Sequence, residues 1–199
     1  LLDYSERDTL TGLLNRKTFD VSFLRVAADS VGEQVMEPAS GSDLRRAGGP
    51  QVAWLGVIDI DHFKSVNDNH GHLIGDEVLL LIARLMRGSF RFQDQLYRFG
   101  GEEFVVLMRG GNMQQAESAF ERLRSNVLNY VFPRVGHITV SVGFTKLRVG
   151  DSPSSAFERA DKAVYHAKQH GRNQVVNYGD LLDKGVFVEA ARVGDMELF

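Results

Sequence analysis

The sequence predicts an α+β domain in which helices pack on a sheet of the split βαβ type. Strand-like apolar runs alternate with segments of helical spacing, in the order α, β, α, β, β, α, β, α, β. Two of the strands are separated only by a glycine pair, which predicts a hairpin. The order contains a βαββαβ core, and this core is characteristic of a split βαβ sheet with helices packed on it.

Composition is consistent with one large domain and an extension. The chain has 199 residues, of which 43% are hydrophobic, and it begins with Leu1, so it can be a fragment or a processed product. It contains no cysteine, which excludes disulfides and thiolate zinc sites and favours a cytoplasmic location. The net charge of −3 argues against a nucleic-acid-binding surface. No segment approaches the roughly 18 apolar residues of a membrane span, and no signal peptide is recognisable.

The first elements are a helix and a long insertion. The helix is expected to end at about Ala28, with Thr11 or Asn15 as its N-cap. The stretch from about 30 to 50 is polar, contains several glycines and prolines, and has no periodicity. It is therefore predicted to be a long surface insertion or flexible loop.

The middle of the chain predicts a buried strand, a helix and a hairpin. The run 52–60 is almost continuously apolar and ends in carboxylates, as expected of a central strand. The apolar residues of the following helix, which has about four turns, are Ile74, Val78, Leu81, Ile82 and Leu85. The segment 96–108 forms the hairpin.

The last third predicts two helices and two strands. The first helix has Ala116, Phe120, Leu123 and Val127 on its apolar face. A strand follows that is expected to be half-buried, because its apolar residues alternate: Ile138, Val140, Val142 and Phe144. The second helix begins at 151–153 with a proline near its first turn and ends at Gly171. A short strand at 175–178 is last, and the segment from about Gly179 has no clear pattern.

The hairpin turn is the most informative feature of the chain. Gly100 and Gly101 can supply the positive φ of a tight turn, and Glu102 and Glu103 follow at once. If the hairpin lies beside the central strand, these acids approach Asp59. Clustered carboxylates repel unless a cation neutralises them, and an all-oxygen set suits Mg²⁺ or Mn²⁺. The alternative is that the acids are solvated strand ends.

Four ordered blocks resemble the GGDEF domain, the diguanylate cyclase family. The block RFGGEEF, which begins at Arg98, is similar to the family signature in its GGEEF form. The other blocks are DTLTGLLNR from Asp8, DIDHFKSVNDNHGHLIGDEVL from Asp59 and ADKAVYHAKQHGRNQV from Ala160. We therefore expect a GGDEF catalytic domain over residues 1–178, with the insertion at about 30–50, and a C-terminal extension of unknown role over 179–199.

The resemblance implies that two GTP molecules are joined into cyclic di-GMP with release of pyrophosphate. It also implies a fold similar to the palm of nucleotidyl cyclases and polymerases. Each domain would bind one GTP, so a symmetric homodimer is expected, held together by an N-terminal regulatory or dimerisation region that this chain lacks. The partners are then GTP as substrate and cyclic di-GMP as product and inhibitor, without nucleic acid.

By the same resemblance, Asp59, Glu102 and the backbone carbonyl of Ile60 hold Mg²⁺ or Mn²⁺. The metal would activate the 3′-hydroxyl and neutralise charge on the α-phosphate. Lys64, Glu102 and Glu103 form the expected catalytic set, in which the role of Glu103 is open.

Further positions of the resemblance concern the nucleotide. Asn67 and Asp76 match guanine-reading positions, His72 is expected to contact substrate, and Phe63 packs under the nucleotide or in the core. A carboxylate can accept from the guanine edge, and an amide can donate to it. The alternative from the residues alone is that Asn67 and Asp76 are helix caps.

The triphosphate would be held by Lys64, Lys168 and Arg172, as point charges and a guanidinium fork. The alternative for Lys168 and Arg172 is a surface pair that complements a helix dipole. Gly100 and Gly101 are expected to let the backbone approach the nucleotide, which a Cβ would hinder.

Arg91 and Asp94 match the family's RxxD inhibitory site, where product binds. The alternative is an intrachain salt bridge between them. Asp8 and Arg16 are expected to be structural, with Arg16 paired with an acid near the active site. Asp61 is left open between a structural role and metal ligation. Two other functions are weighed against the cyclase. One is a non-catalytic receptor for GTP or cyclic di-GMP that signals through a partner, and the other is a cyclase that uses another base.

Overall fold

The computed structural model describes residues 6–31 and 52–190. The elements are, in chain order, β1 (Leu14–Asn15), α1 (Arg16–Val31), β2 (Ala53–Ile60), α2 (Phe63–His70), α3 (His72–Ser89), β3 (Gln95–Gly100), β4 (Glu103–Arg109), α4 (Met113–Asn129), β5 (Val140–Lys146), α5 (Pro153–Gln169), β6 (Val175–Asn177) and α6 (Tyr178–Asp183). Nearly all of the predicted insertion and the last nine residues of the extension lie outside the described residues.

The described strands form a single six-stranded sheet with the order β1-β3-β4-β2-β5-β6. The strand β2 lies between β4 and β5 and is antiparallel to both, and β3 and β4 form the predicted hairpin. The order β3-β4-β2-β5 is that of a split βαβ unit, so the predicted α+β class is confirmed. The register pairs Asp59 with Glu103. This pairing brings the end of β2 beside the start of β4.

Helices cover both faces of the sheet. On one face α3 and α4 bury a core that contains Ile82 and Phe120. On the other face α1 and α5 cover a second core that contains Phe19 and Val105. Because both faces are covered, β2 is buried along almost its whole length. In the described part of the chain, no helix is both long enough and apolar enough to span a membrane.

The prediction that the β5 segment is half-buried was wrong. The strand begins at Val140, and all its residues but the last are buried. Small residues on its second face let α5 approach closely. A Cβ built on Gly143 would lie 2.3 Å from the carbonyl oxygen of Ala160 and 2.4 Å from the backbone nitrogen of Val164. The alternation therefore marks two different packing partners, not a solvent face.

Helix ends follow the polar residues that flank them. Asn15, not Thr11, caps α1, because its Oδ1 accepts from the backbone N–H of Thr18 at 2.9 Å. Ser152 begins α5 with a capping box and a proline in the first turn. As predicted, Gly171 follows the end of α5 with a φ of 104°.

Three described elements were missing from the sequence prediction: β1, α2 and α6. The α2 helix was missed because it is mostly polar and buries only Phe63 and Val66. The α6 helix begins the extension and buries Leu181, and the chain beyond it returns so that Phe187 stacks on Tyr178, with ring centroids 5.5 Å apart. The extension therefore packs on the domain as far as it is described.

Candidate active site

The candidate active site lies where β2 ends beside the turn of the β3–β4 hairpin. We call residues 100–103 the signature turn. The backbone N–H of Ile60 donates to the carbonyl oxygen of Glu102 at 3.3 Å, one step beyond the pairing of Asp59 with Glu103. Both glycines of the turn have positive φ, 119° at Gly100 and 52° at Gly101. The geometry brings together the two acidic segments that the sequence predicts to meet.

Asp59 lies among other carboxylates, Glu102 and Asp61, and is paired with the cation Lys168. Its Oδ2 lies 2.8 Å from Nζ of Lys168 on α5. Its Oδ1 is buried and has no hydrogen-bond partner among the described residues. Burial raises the pKa of Asp59, Lys168 opposes this, and repulsion from Glu102 adds to it. An orphaned buried carboxylate oxygen beside further acids is what a bound cation would satisfy.

Glu103 is half-buried on the same side of the sheet. Burial raises its pKa, and repulsion from Asp161 and Asp59 raises it further. Asp161 projects from α5 and was missed by the sequence analysis. It lies seven residues before Lys168, and this spacing of about two turns places both residues on one helix face. That spacing, within a block that resembles the family, was the available signal.

The residues present fit a hard divalent cation. Asp59 and Glu102 supply carboxylate oxygens and Ile60 a carbonyl, the ligand types that Mg²⁺ and Mn²⁺ accept. Within residues 6–31 and 52–190, no three His, Cys, Asp or Glu side chains lie close enough to hold a metal together. A small protein ligand set matches Mg²⁺, because this ion usually keeps water and substrate phosphates in its shell.

Asp61 has a structural role. It is buried, and its carboxylate accepts from the hydroxyls of Thr139 and Ser141, each at 2.7 Å. It also accepts from the backbone N–H of Asn173 at 3.1 Å. Both carboxylate oxygens are therefore used within the protein, and Asp61 joins the end of β2 to the loop that follows α5.

That loop carries Arg172. The loop has three consecutive residues with positive φ: Gly171, Arg172 and Asn173. Two of them are not glycine, and such conformations persist only where the surroundings hold them. The contact of Asp61 with Asn173 does this, and Arg124 donates to Oδ1 of Asn173 at 2.8 Å. Arg172 is exposed beside this fixed point, and Lys168 faces Asp59, so the two are not a simple surface pair at a helix end.

The predicted nucleotide residues lie at the corner between α2 and α3. Phe63, the first residue of α2, is buried, and Lys64 is exposed on the same helix. Neither Asn67 nor Asp76 caps a helix, since α2 begins after His62 and Gly71 lies between α2 and α3. The capping alternative is therefore wrong.

The corner requires one glycine. A Cβ at Gly75 would lie 1.9 Å from Oδ1 of Asn67, so this glycine lets the Asn67 side chain lie across the start of α3. His72 and Asp76 are exposed on that same turn of helix. The structure thus brings the predicted base-reading residues to one surface.

Comparison with known proteins decides the family. A family model described as "Diguanylate cyclase, GGDEF domain" matches residues 5–174. The chain belongs to the GGDEF family. It is 38% identical over 171 residues to the diguanylate cyclase DgcP of Pseudomonas aeruginosa and 36% identical over 172 residues to DgcM of Escherichia coli. These matches cover 84% and 86% of this chain but only 23% and 38% of those proteins.

Solved structures agree with this assignment. The GGDEF domain of DgcB from Caulobacter crescentus, in complex with c-di-GMP, has a TM-score of 0.76 and 32% identity. The match covers 90% of this chain and 99% of that domain. The diguanylate cyclase SiaD of Pseudomonas aeruginosa, in complex with its activator SiaC, has a TM-score of 0.71 and 37% identity, covering 87% of this chain and 62% of SiaD.

In this GGDEF domain, Arg91 and Asp94 form a tight turn before β3. Oδ2 of Asp94 accepts from the backbone N–H of Arg91 at 2.9 Å, and the N–H of Asp94 donates to the Arg91 carbonyl at 3.0 Å. Burial raises the pKa of Asp94. The hydrogen bond from the Arg91 N–H and the positive charge of Arg91 lower it, but burial has the larger effect. Among the described residues the two side chains form no ion pair, so the salt-bridge alternative is wrong and the Arg91 side chain stays exposed.

Two cavities share Arg91 and Asp94. One, which we call the α4 cavity, has a volume of about 480 Å³ and also contacts Arg122 of α4. The other, the α3 cavity, has a volume of about 520 Å³ and contacts Arg87 of α3. Sequence analysis missed both arginines. Arg122 lies 28 residues after Asp94, and only the fold brings it near, whereas Arg87 lies four residues before Arg91 but outside the blocks that carry the resemblance.

Proposed function

We propose that this GGDEF domain is a diguanylate cyclase that condenses two GTP molecules into cyclic di-GMP and pyrophosphate. The observation that carries the proposal is the pairing of Asp59 with the signature turn, beside a carboxylate oxygen that is buried and has no hydrogen-bond partner in the described part of the chain. Diguanylate cyclases of this family are generally metal-dependent. Paired carboxylates with a free oxygen supply the ligand type that a hard divalent cation takes.

Asp59, Glu102 and the carbonyl of Ile60 would hold Mg²⁺ or Mn²⁺. When bound, such an ion supplies charge neutralisation at a phosphate and lowers the pKa of a hydroxyl nucleophile. Lys168, whose Nζ lies 2.8 Å from Oδ2 of Asp59, would no longer be needed to neutralise that carboxylate once the site held a cation. Lys168 is then free to join Lys64 and Arg172 on the triphosphate.

The corner between α2 and α3 would hold the guanine. The carboxylate of Asp76 accepts hydrogen bonds from the guanine N1–H and amino group, and the Asn67 amide bonds to the other base atoms. His72 contacts the same substrate, and the buried ring of Phe63 supports the α2 side of the pocket. The open space around Gly100 and Gly101 allows close approach of the backbone to the nucleotide.

A functional enzyme requires two copies of the domain. The product has two equivalent phosphodiester bonds, so each 3′-hydroxyl attacks the α-phosphate held by the other copy, in a two-fold symmetric dimer. The chain spans less than two fifths of DgcP and DgcM. We propose that a region outside this chain brings the copies together and responds to a signal.

Cyclic di-GMP would also inhibit the enzyme at Arg91 and Asp94. An arginine can stack on guanine and bind phosphate, and an aspartate accepts from the guanine edge. Arg122 lines the adjoining α4 cavity and would add a second guanidinium to the site. The charge of these arginines suits a ligand with two phosphates.

The test is product analysis with a matched pair of variants. The concentrated or artificially dimerised chain, incubated with GTP and Mg²⁺, should form cyclic di-GMP. Glu102→Gln should lower that rate at least 100-fold, an order expected when a group that stabilises the transition state is removed. Glu158→Gln, an exposed residue of α5, is the control and should retain the unaltered rate.

Two outcomes would contradict the proposal. Cyclic di-GMP formation undiminished in Glu102→Gln would overturn the metal-ligand assignment. A chain that binds GTP or cyclic di-GMP but forms no product when dimerised would instead be a receptor that signals through a partner.

A further inference from the structure

The α3 cavity is positively charged and borders the proposed inhibitory pair. Its charged lining residues are Arg7, Arg87, Arg91 and Asp94, so positive charge exceeds negative. A ligand that binds Arg91 and Asp94 borders this cavity, since both residues line it. Such a surface attracts phosphate groups.

Two arginines of the cavity contact the backbone of one turn. We call residues 8–13 the entry turn. Nη2 of Arg87 donates to the carbonyl oxygen of Thr11 at 2.7 Å, and Nη1 of Arg7 donates to that of Gly12 at 2.8 Å. A guanidinium has five N–H donors in a fixed plane. An anion in the cavity therefore competes with the Thr11 carbonyl for Arg87 or reorients its guanidinium plane.

Arg98 connects the entry turn to the signature turn. The N–H and hydroxyl of Thr11 donate to Oδ2 of Asp8 at 2.8 and 2.7 Å. Nη1 of Arg98 lies 3.0 Å from Oδ1 of Asp8, and its Nη2 donates to the Gly101 carbonyl at 2.9 Å. Asp8 and Arg98 are largely shielded from water, with side-chain exposures of 18% and 12%. Shielding strengthens such hydrogen bonds.

We propose that Arg87 is a positioning residue that communicates occupancy of the α3 cavity by cyclic di-GMP to the signature turn. The path runs from Arg87 through Thr11, Asp8 and Arg98 to Gly101, the residue before Glu102. The inference rests on the proposed product inhibition. It goes beyond the family signature, because Arg87 lies outside the four blocks that carry the resemblance.

The direct test is amide hydrogen exchange of the unaltered chain and two variants, with and without cyclic di-GMP. Arg87→Ala should speed exchange in the entry turn and in the signature turn. Cyclic di-GMP should change exchange in both turns of the unaltered chain but not in the signature turn of Arg87→Ala. Arg84→Ala, an exposed arginine on the same helix, is the matched control and should behave as the unaltered chain.

Activity provides a second measurement. At saturating cyclic di-GMP, Arg87→Ala should retain several-fold more of its own uninhibited rate than the unaltered chain does, a coupling factor in the usual range for linked sites. Arg87→Lys should restore part of the inhibition, because a lysine keeps the charge but offers a single point donor. A residue with only a structural role would lower the melting temperature without changing the inhibited fraction.

The outcomes separate this inference from the proposed function. The path would be overturned if Arg87→Ala left exchange in the signature turn unaffected, or if that variant were inhibited as strongly as the unaltered chain. Neither result would contradict the proposed cyclase activity. If cyclic di-GMP binds the unaltered chain no better than it binds Arg91→Ala, both the inhibitory site and the path are contradicted. Formation of cyclic di-GMP would still support the proposed catalysis.

Discussion

At the scale of single residues, the site keeps carboxylates in surroundings that penalise their charge. Asp59 and Glu103 are partly buried close to each other, and Asp161 lies near Glu103. Lys168 is paired with Asp59, and Arg16 and Lys168 partly offset the charge at Glu103. Under the proposed function, binding a cation and a triphosphate would relieve this penalty, so the charged site of the free protein would be prepared for its ligands. Asp61, two residues from Asp59, shows the opposite case, since all its hydrogen bonds are made within the protein.

Replacement of Glu103 tests whether the site penalises the charge of its carboxylates. The pKa of Glu103 is raised in the folded state, so its ionised form weakens folding once the pH is above the unfolded value of about 4.3. We predict that Glu103→Gln keeps or raises the melting temperature at pH 7 while lowering cyclase activity. Any gain should shrink as the pH falls towards 4. A clear loss of melting temperature at pH 7 would show that the carboxylate stabilises the fold.

Unlike Glu103, Asp151 is a carboxylate whose charge is stabilised in the folded protein. It lies 2.7 Å from Arg159, with side-chain exposures of 3% and 9%. Burial raises the pKa of Asp151, but hydrogen bonds from Arg159 and the Arg148 backbone outweigh this and lower it overall. Its stabilisation is therefore complete above the unfolded pKa and is lost as the pH falls through the folded one.

We predict that Asp151→Asn costs about 3–5 kcal/mol at pH 7, because a buried arginine loses its charged partner. Denaturant unfolding should detect this, and the difference from the unaltered chain should narrow below about pH 4. Asp180→Asn in α6 serves as the control and should cost much less. A difference that stays constant down to pH 2 would contradict the ion-pair explanation.

At the scale of elements, sequence patterns predicted what local periodicity encodes. The buried run of β2, the glycine hairpin and the caps of α5 are local signals, and each was confirmed. The burial of β5 was not predicted, because it depends on a helix that follows in sequence. Polar α2 was missed because it is stabilised by burial of only Phe63 and Val66 and has no long apolar stripe.

The β5–α5 contact gives an element-scale prediction. Gly143→Ala should destabilise the domain strongly, because its Cβ would overlap the backbone of α5 at 2.3 Å and force the helix away from the sheet. Gly88→Ala in α3 is the matched control. No described atom lies within 4 Å of the added Cβ there, so it should stabilise the helix by about 0.5–1 kcal/mol. Equal unfolding midpoints for the two variants would contradict this close packing.

At the scale of the whole molecule, the site predicted from sequence lacked the contacts between segments that are distant in the chain. The predicted approach of Asp59 to the signature turn was found, and the ligand-binding roles of the block residues stay predictions. Contacts between distant segments were not foreseen: Asp161 near Glu103, Arg122 beside the RxxD pair, and the path from Arg87 to Gly101. Such contacts depend on how α3, α4 and α5 pack on the sheet, and no local pattern records that.

In the proposed mechanism, the domain supplies one half of a symmetric active site. Two GTP-loaded copies would then have to meet for each catalytic event, which would link assembly and chemistry by mass action. For the isolated chain, specific activity should therefore rise with protein concentration until dimers saturate. Fusion to an artificial dimerisation module should remove that dependence.

The most direct test is the rate of cyclic di-GMP formation from GTP and Mg²⁺ across a dilution series of the isolated chain. The proposed function predicts that cyclic di-GMP forms and that specific activity increases about in proportion to concentration at the dilute end. Specific activity that stays flat over the whole series would contradict catalysis between two weakly associated copies. Absence of cyclic di-GMP even from the artificially dimerised chain would contradict the cyclase itself.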